Sequence, residues 1–313
     1  MSQENKTTQR NVFICSAGHS GSTLLDMMIG SHSDAESVGE LIHLPMDMAL
    51  NRECACGSAM RECGLWPEVM LRMGVDPIGN PYALNLGYAI AMVGDTKRTS
   101  MLHKILTRPK IALRYLQLRF GLPFLGALTP GFTQGISNTL AVYDHVRILT
   151  GKNVIVDSTK HYIRAASLYL AQPERTRVVV LVRDGRGVFY SGLKRGFGRS
   201  FSLRAWHNQY KRAFELLDIH VPESHRMLVH YEDMVTDTER TISQLCDFLD
   251  IEFEPSMLNF RAVVHHNVNG NDMKFTSTSE LRLDEAWKTK LEPADRDYFE
   301  QHAGQLNRRL GYV

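Results

Sequence analysis

Apolar positions in this chain fall into short, dense runs that alternate with glycine-rich turns and longer amphipathic stretches. Asn11–Cys15 (NVFIC) suits a buried parallel strand. The small-residue turn Ser16–Thr23 follows, and then Leu24–Ile29 reads as a mostly buried helix that Gly30 is placed to end. The alternation resumes late. Asn153–Asp157 is a strand and leads into an apolar helix through Leu170; Arg177–Val182 is the most apolar strand and runs into a glycine turn. Phe201–Ile219 carries Leu203, Trp206, Tyr210, Phe214 and Leu217 at helical spacing, a stripe for the core. Arg226–His230 is a further strand, and Thr236 with Glu239 forms a capping box for a helix ending near Leu249. The terminal helices around Trp287 and Tyr298 read as packing, and no strand is read in Ser31–Ile42. Between the two α/β regions, residues from about 66 to 150 read as mostly helical. Within them Ser100–Phe120 is cationic and amphipathic (Lys104, Arg108, Lys110, Arg114, Arg119) until Pro123 and Pro130 break the pattern. Repeated strand–turn–helix units imply an α/β fold: a parallel β-sheet flanked by helices, in one domain over residues 1–313 with a helical insertion.

The first turn has the chemistry of a phosphate cradle. Successive backbone N–H groups point into such a turn, and the helix N-terminus adds positive partial charge. Gly18 and Gly21 allow close approach of the backbone, and Ser20, Ser22 and Thr23 supply hydroxyls. The Walker pattern needs a lysine before the final hydroxyl residue, and Ser22 stands there instead. A second anion site follows the strand ending at Val182. Arg183 can bind a phosphate dianion through two N–H groups, and Ser191 would approach from the following helix. Two such loops after two parallel strands suit a ligand with two separated anionic groups.

Composition narrows the reading. A chain of 313 residues with 43% hydrophobic content can bury a large core, and a net charge of +2 argues against a nucleic-acid partner. No apolar run reaches the ~18 residues of a membrane span, and the polar start MSQENKTTQR lacks a signal peptide's apolar core, so a soluble cytoplasmic protein with a disordered leader is expected. Of the five cysteines, Cys54, Cys56 and Cys63 lie close together. Zinc sites usually show CxxC pairs and a fourth ligand, so CxC with a lone Cys is poor spacing. Reduced thiols are expected, with a metal or a redox-labile disulfide as alternatives. The pair His265-His266 shows no third ligand in spacing, and no metal enters the reading.

These blocks together resemble the sulfotransferases that use 3′-phosphoadenosine 5′-phosphosulfate (PAPS), in particular the bacterial type. Their 5′-phosphosulfate loop reads as a basic residue followed by Ser-Gly-Thr-Thr or a close variant; here His19 precedes Ser20-Gly21-Ser22-Thr23. Strand, Arg183, glycine turn and Ser191 eight residues on resemble the 3′-phosphate signature, and HYEDMV resembles the segment whose tyrosine, here Tyr231, lies against adenine. The resemblance implies a P-loop NTPase-like sheet and Glu40, 21 residues beyond His19, as the base. It also implies Lys160 on the transferring sulfuryl group, with His161 as its helper or as a structural helix start. Asn269, Gly270 and Asn271 would belong to a glycine-bearing loop over the 3′-phosphate, and the helical insertion would form a lid or wall for the acceptor pocket. The implied activity moves a sulfuryl group from PAPS to a hydroxyl or amine of a small-molecule acceptor, such as a natural product. It releases 3′,5′-adenosine bisphosphate (PAP) and uses no metal. A P-loop small-molecule kinase and a non-catalytic nucleotide-binding module are the alternatives.

Overall fold

The computed structural model describes residues 8–87, 101–275 and 280–313, with backbone alone for 101–108. Five strands, β1 (Arg10–Ser16), β2 (Ala35–Gly39), β3 (Val154–Lys160), β4 (Thr176–Val182) and β5 (Arg226–His230), form one sheet in the order β2-β3-β1-β4-β5. Every pairing is parallel. Helices α1 (Ser22–Gly30), α2 (Leu44–Ala49), α3 (Trp66–Arg72), α4 (Met101–Phe120), α5 (Phe124–Ala127) and α6 (Pro130–Thr150) precede β3. Helix α7 (Tyr162–Ala171) follows β3, and α8 (Gly185–Lys194) and α9 (Arg199–His220) follow β4. After β5 come α10 (Tyr231–Thr236), α11 (Thr238–Leu249), α12 (Ala286–Lys290) and α13 (Pro293–Arg309).

The central strands are buried on both faces, which is why they read as apolar runs. Val12, Ile14, Val154, Val156, Val179 and Leu181 face a layer containing α1 and α11. Phe13, Cys15, Ile155, Val178, Val180 and Val182 face the larger layer containing α6, α7, α8 and α9. The helices α4 and α6, expected as an insertion, pack on this second layer through α7, α9 and β3. Lys104 and Arg108 of the amphipathic stretch, and most of the polar leader, lie outside the residues whose side chains are described.

Two local expectations are corrected. Strand β2 (AESVG) was not foreseen, because its polar residues are buried against partners rather than exposed. Glu36 pairs with Lys152 at 3.8 Å, and Ser37 accepts from Asn267 Nδ2 at 2.5 Å. Helix α1 ends at Gly30, as expected, and glycine there also admits β2, because a Cβ would stand 2.5 Å from Ser37 Cβ. The capping box does not form: Thr236 Oγ1 donates to the Glu232 carbonyl, and the α11 N-cap Asp237 makes no side-chain cap bond.

Candidate active site

Each strand hands one chemically distinct group to the carboxyl edge of the sheet. Glu40 follows β2, Lys160 ends β3, the turn with His19 follows β1, Arg183 follows β4 and Tyr231 follows β5. The chain leaves β1 in both directions along the sheet, so this edge is also the topological switch point where α/β sheets bind ligands.

The turn after β1 is held in a shape that needs positive φ at His19 (64°) and Gly21 (87°). Glycine is required at position 21 for a second reason, because a Cβ would stand 2.6 Å from the Tyr231 ring. No side chain caps α1, so its first amides stay open toward the cleft that Gly21, Ser22 and Thr23 line. Tyr210 of α9 fixes the turn to the sheet. Its hydroxyl donates to the Leu181 carbonyl at 2.7 Å, accepts from the Ala17 amide at 3.2 Å and meets Ser20 Oγ at 3.2 Å. Ser20 is thereby fully buried with its hydroxyl engaged inside the protein. It contributes turn geometry rather than the ligand-facing hydroxyl expected of it.

Glu40 and Lys160 meet as an ion pair, with side chains only 12% and 20% exposed. Asn269 Nδ2 donates to Glu40 Oε2 at 3.3 Å, and His43 Nε2 lies 3.6 Å from the same oxygen. Burial pushes the Glu40 carboxyl up, but the Lys160 ammonium, His43 and Asn269 outweigh it and hold the group below its usual range. His19 shows the opposite balance. Burial, reinforced by Arg195, Lys160 and Arg183, pushes its ring down to about 4, so at neutral pH the imidazole is uncharged.

Arg183 is anchored on three sides. It donates to the His19 carbonyl at 2.9 Å, to the Asp284 carbonyl and carboxylate at 3.0 Å each, and its guanidinium lies 4.5 Å over the Tyr231 ring. Ser191 lines the same cleft from α8. Asn269, Gly270 and Asn271 contact Glu40, Asp47 and Thr23. They close the β2–α1 side of the cleft, whereas the carboxylate bonded to Arg183 is that of Asp284. His161 resolves as a structural helix start, since its Nδ1 accepts from the Ile163 amide at 3.2 Å and caps α7.

The cleft is about 1100 Å³ and holds Gly18, His19, Glu40, Lys160, Arg183 and Tyr231 among its lining. Among the described residues, six lysines and arginines line it (Lys160, Arg183, Lys194, Arg195, Arg261, Arg282) against three carboxylates (Glu40, Glu280, Asp284). A chain with a net charge of only +2 thus gathers cations at one edge of its sheet, as an anion site requires.

Residues 128–255, from just before α6 past β5, match the model of the sulfotransferase family. They contain Lys160, Arg183, Ser191 and Tyr231. That stretch of the chain is similar to the sulfotransferase family. Its fold is similar to the sulfotransferase domain from the curacin biosynthetic pathway (TM-score 0.53, 19% identity, 97% of this chain and 98% of that one). It is equally similar to the sulfotransferase domain of the Synechococcus PCC 7002 olefin synthase (TM-score 0.53, 16% identity, 100% and 98%). No curated protein matches the chain in sequence.

Sequence reasoning missed several parts of this cleft. Lys194 and Arg195 lie one helical turn past Ser191, a spacing that could have revealed them. Arg261, Arg282 and Asp284 sit in irregular segments with no periodic signal. The lid or wall expected of the insertion is not seen, since none of the described residues of 66–150 lines the cleft. A side-chain cluster was also missed: His266 joins Cys54, Cys56 and Cys63, the ligating atoms of all four lying within 4.8 Å of one another. Among the described residues no helix is long and apolar enough to cross a membrane.

Proposed function

We propose that this protein is a sulfotransferase that transfers the sulfuryl group of PAPS to a hydroxyl or amine of a small-molecule acceptor, releasing PAP. The observation that carries this reading is the convergence on one cleft of the Glu40–Lys160 pair, the glycine turn, and Arg183, Ser191 and Tyr231. A proton acceptor and an ammonium stand where a sulfuryl group on the turn would sit, and a second anion site lies beyond. That arrangement fits a donor with two separated anionic groups.

In the proposed reaction the acceptor oxygen or nitrogen attacks sulfur in line with the departing 5′-phosphate oxygen. The new bond to sulfur forms as the S–O bond to PAP breaks, and the acceptor's proton passes to Glu40. At rest the Glu40 carboxylate is neutralised by Lys160. Arrival of the sulfuryl group draws Lys160 toward the donor, which leaves Glu40 more basic as Lys160 begins to stabilise charge on the leaving group. The α1 amides with Ser22 and Thr23 receive the 5′-phosphosulfate. Arg183 and Ser191 receive the 3′-phosphate, which replaces the Asp284 carboxylate on the guanidinium. Asn269 holds Glu40 in place. The adenine lies against Tyr231, whose ring orientation the Gly21 contact and Arg183 stacking fix.

The experiment is a titration with PAP against Mg²⁺–ATP, paired with sulfur-labelled PAPS and a panel of hydroxyl and amine acceptors. Tight PAP binding and label transfer are expected. Preferential ATP binding with phosphate release would move the site to kinase chemistry, and PAP binding without transfer to any acceptor class would leave a nucleotide-binding module.

A further inference from the structure

The turn that follows α2 brings three sulfurs together. Glu53 and Ala59 form an isolated antiparallel bridge, the Cys54 amide donates to the Ser58 carbonyl at 2.9 Å, and Gly57 at φ 85° closes the turn with its amide on the Cys54 carbonyl. Cys54 and Cys56 thereby point to the same side, and Cys63 returns to meet them after the short helix at Met60–Glu62. The distances are 3.7 Å from Cys63 Sγ to Cys54 Sγ, 3.9 Å to Cys56 Sγ and 3.3 Å to His266 Nδ1, a residue 203 positions away. All five cysteines are unbridged thiols.

We propose that Cys54, Cys56, Cys63 and His266 bind one zinc ion in a tetrahedral Cys₃His site. Zinc–sulfur bonds of about 2.3 Å and a zinc–nitrogen bond of about 2.0–2.1 Å place tetrahedral ligands about 3.8 Å apart for S–S and about 3.6 Å apart for S–N. The three separations measured from Cys63 scatter closely around those edges. Three soft thiolates and one imidazole select zinc over hard cations. Outer contacts support the ligands as metal sites require. Trp66 Nε1 donates to the His266 carbonyl at 2.7 Å, the amides of Leu65 and Trp66 donate toward the Cys63 sulfur, and the amide of Cys56 donates toward that of Cys54. Binding would release the thiol protons to solvent, with His266 coordinating as the neutral ring through Nδ1. The CxC spacing that argues against zinc in the sequence is offset by the fourth ligand, which only the fold supplies.

The site ties the cysteine turn to the strap His265–Asn271, which pairs Val268 with the end of β2 and carries Asn269 onto Glu40. Zinc therefore acts as a structural clamp behind the cleft and needs no part in the sulfuryl transfer. The inference stands whether or not PAPS is the donor.

The test is the metal content of full-length protein purified without chelators, with cobalt(II) substitution as a second readout on the same wild-type protein. About one zinc per chain is expected, together with the intense visible bands of tetrahedral thiolate cobalt. Cys63→Ser and His266→Ala should each lower retained zinc at least tenfold, His266→Cys should keep it, and Cys246→Ala, away from the cluster, should leave it unchanged. Metal below a tenth of an equivalent with no cobalt spectrum would overturn the proposal. So would stoichiometric copper or iron, retention of zinc by both the Cys63 and His266 variants, or a Cys54–Cys63 disulfide in the purified protein. Should a variant fail to fold, the wild-type metal content and cobalt spectrum decide alone.

Discussion

Replacing Lys160 by methionine tests the ion pair on which the proposed chemistry depends. Methionine keeps a Cβ and an unbranched stem, so the positive φ of 76° at this position is strained equally in both proteins and the charge is the main change. Glu40 would be left 12% exposed with Asn269 and His43 near its carboxylate. Two unit charges about 4 Å apart at an effective dielectric of about 20 attract by about 4 kcal/mol. Breaking a buried pair typically costs 3–5 kcal/mol, and since Asn269 and His43 remain, the low end, about 3 kcal/mol at neutral pH, is expected. In the wild type the Glu40 carboxyl is held below its unfolded value, so it contributes stability that is present above the ordinary carboxylate pKa and lost as pH falls through the folded one. In the variant burial acts with less opposition, the carboxyl moves up, and stability is lost as pH rises through that raised value. The gap between the two proteins should therefore open from acid to neutral pH. Urea midpoints from about pH 4.5 to about pH 8 measure it, and the pair Lys160→Met with Glu40→Gln should recover about 2 kcal/mol of the loss as a coupling energy. A gap that does not change with pH, or coupling below about 0.5 kcal/mol, would refute the reasoning.

Arg183→Ala should weaken PAP binding by about 2–4 kcal/mol and Ser191→Ala by about 1 kcal/mol in calorimetric titration; wild-type affinity in Arg183→Ala would remove the 3′-phosphate assignment. Glu40→Gln should leave PAP affinity nearly unchanged and lower kcat by about 10²–10⁴, and turnover at the wild-type rate would place the base elsewhere. Because burial and Arg195 hold the free His19 ring down to about 4, an anionic donor should raise it and draw in a proton. Affinity should then fall as pH rises through the bound-state value and level off below about 4, where the free ring is already charged. Titration in two buffers of different ionisation heat counts that proton, His19→Lys should flatten the profile, and zero uptake by the wild type would sink the linkage. Tyr210→Phe removes the hydroxyl that binds Leu181, Ala17 and Ser20; a stability loss of about 2 kcal/mol with weaker PAP binding is expected by denaturation and titration.

Much of this architecture was legible because central parallel strands announce themselves. β1, β3, β4 and β5 each combine an apolar run with a polar group at the carboxyl end, and those ends named His19, Lys160, Arg183 and Tyr231. Strand β2 was hidden because Glu36 and Ser37 satisfy their polarity inside the protein, which the alternation of apolar and polar positions does not register. Ser20 was misread because a hydroxyl in a glycine turn looks the same whether it faces a ligand or Tyr210. The meeting of Cys63 with His266 spans nearly two thirds of the chain, and no local spacing rule reaches that far.

The order of the sheet has a consequence for the length of molecule the cleft admits. Neighbouring strands stand about 4.8 Å apart, so the four steps from β2 to β5 measure roughly 19 Å along the carboxyl edge. The groups they bear run Glu40, Lys160, the turn, Arg183, Tyr231. On the proposed reading this is the order of the reacting molecules themselves: acceptor, sulfuryl group, 5′-phosphate, 3′-phosphate, base. The strand ends thus set the order in which these groups enter the cleft, and the side chains close the gaps between them. A molecule joining an acceptor mimic to PAP would meet all five groups at once, while PAP alone would leave Glu40 without a partner from the ligand.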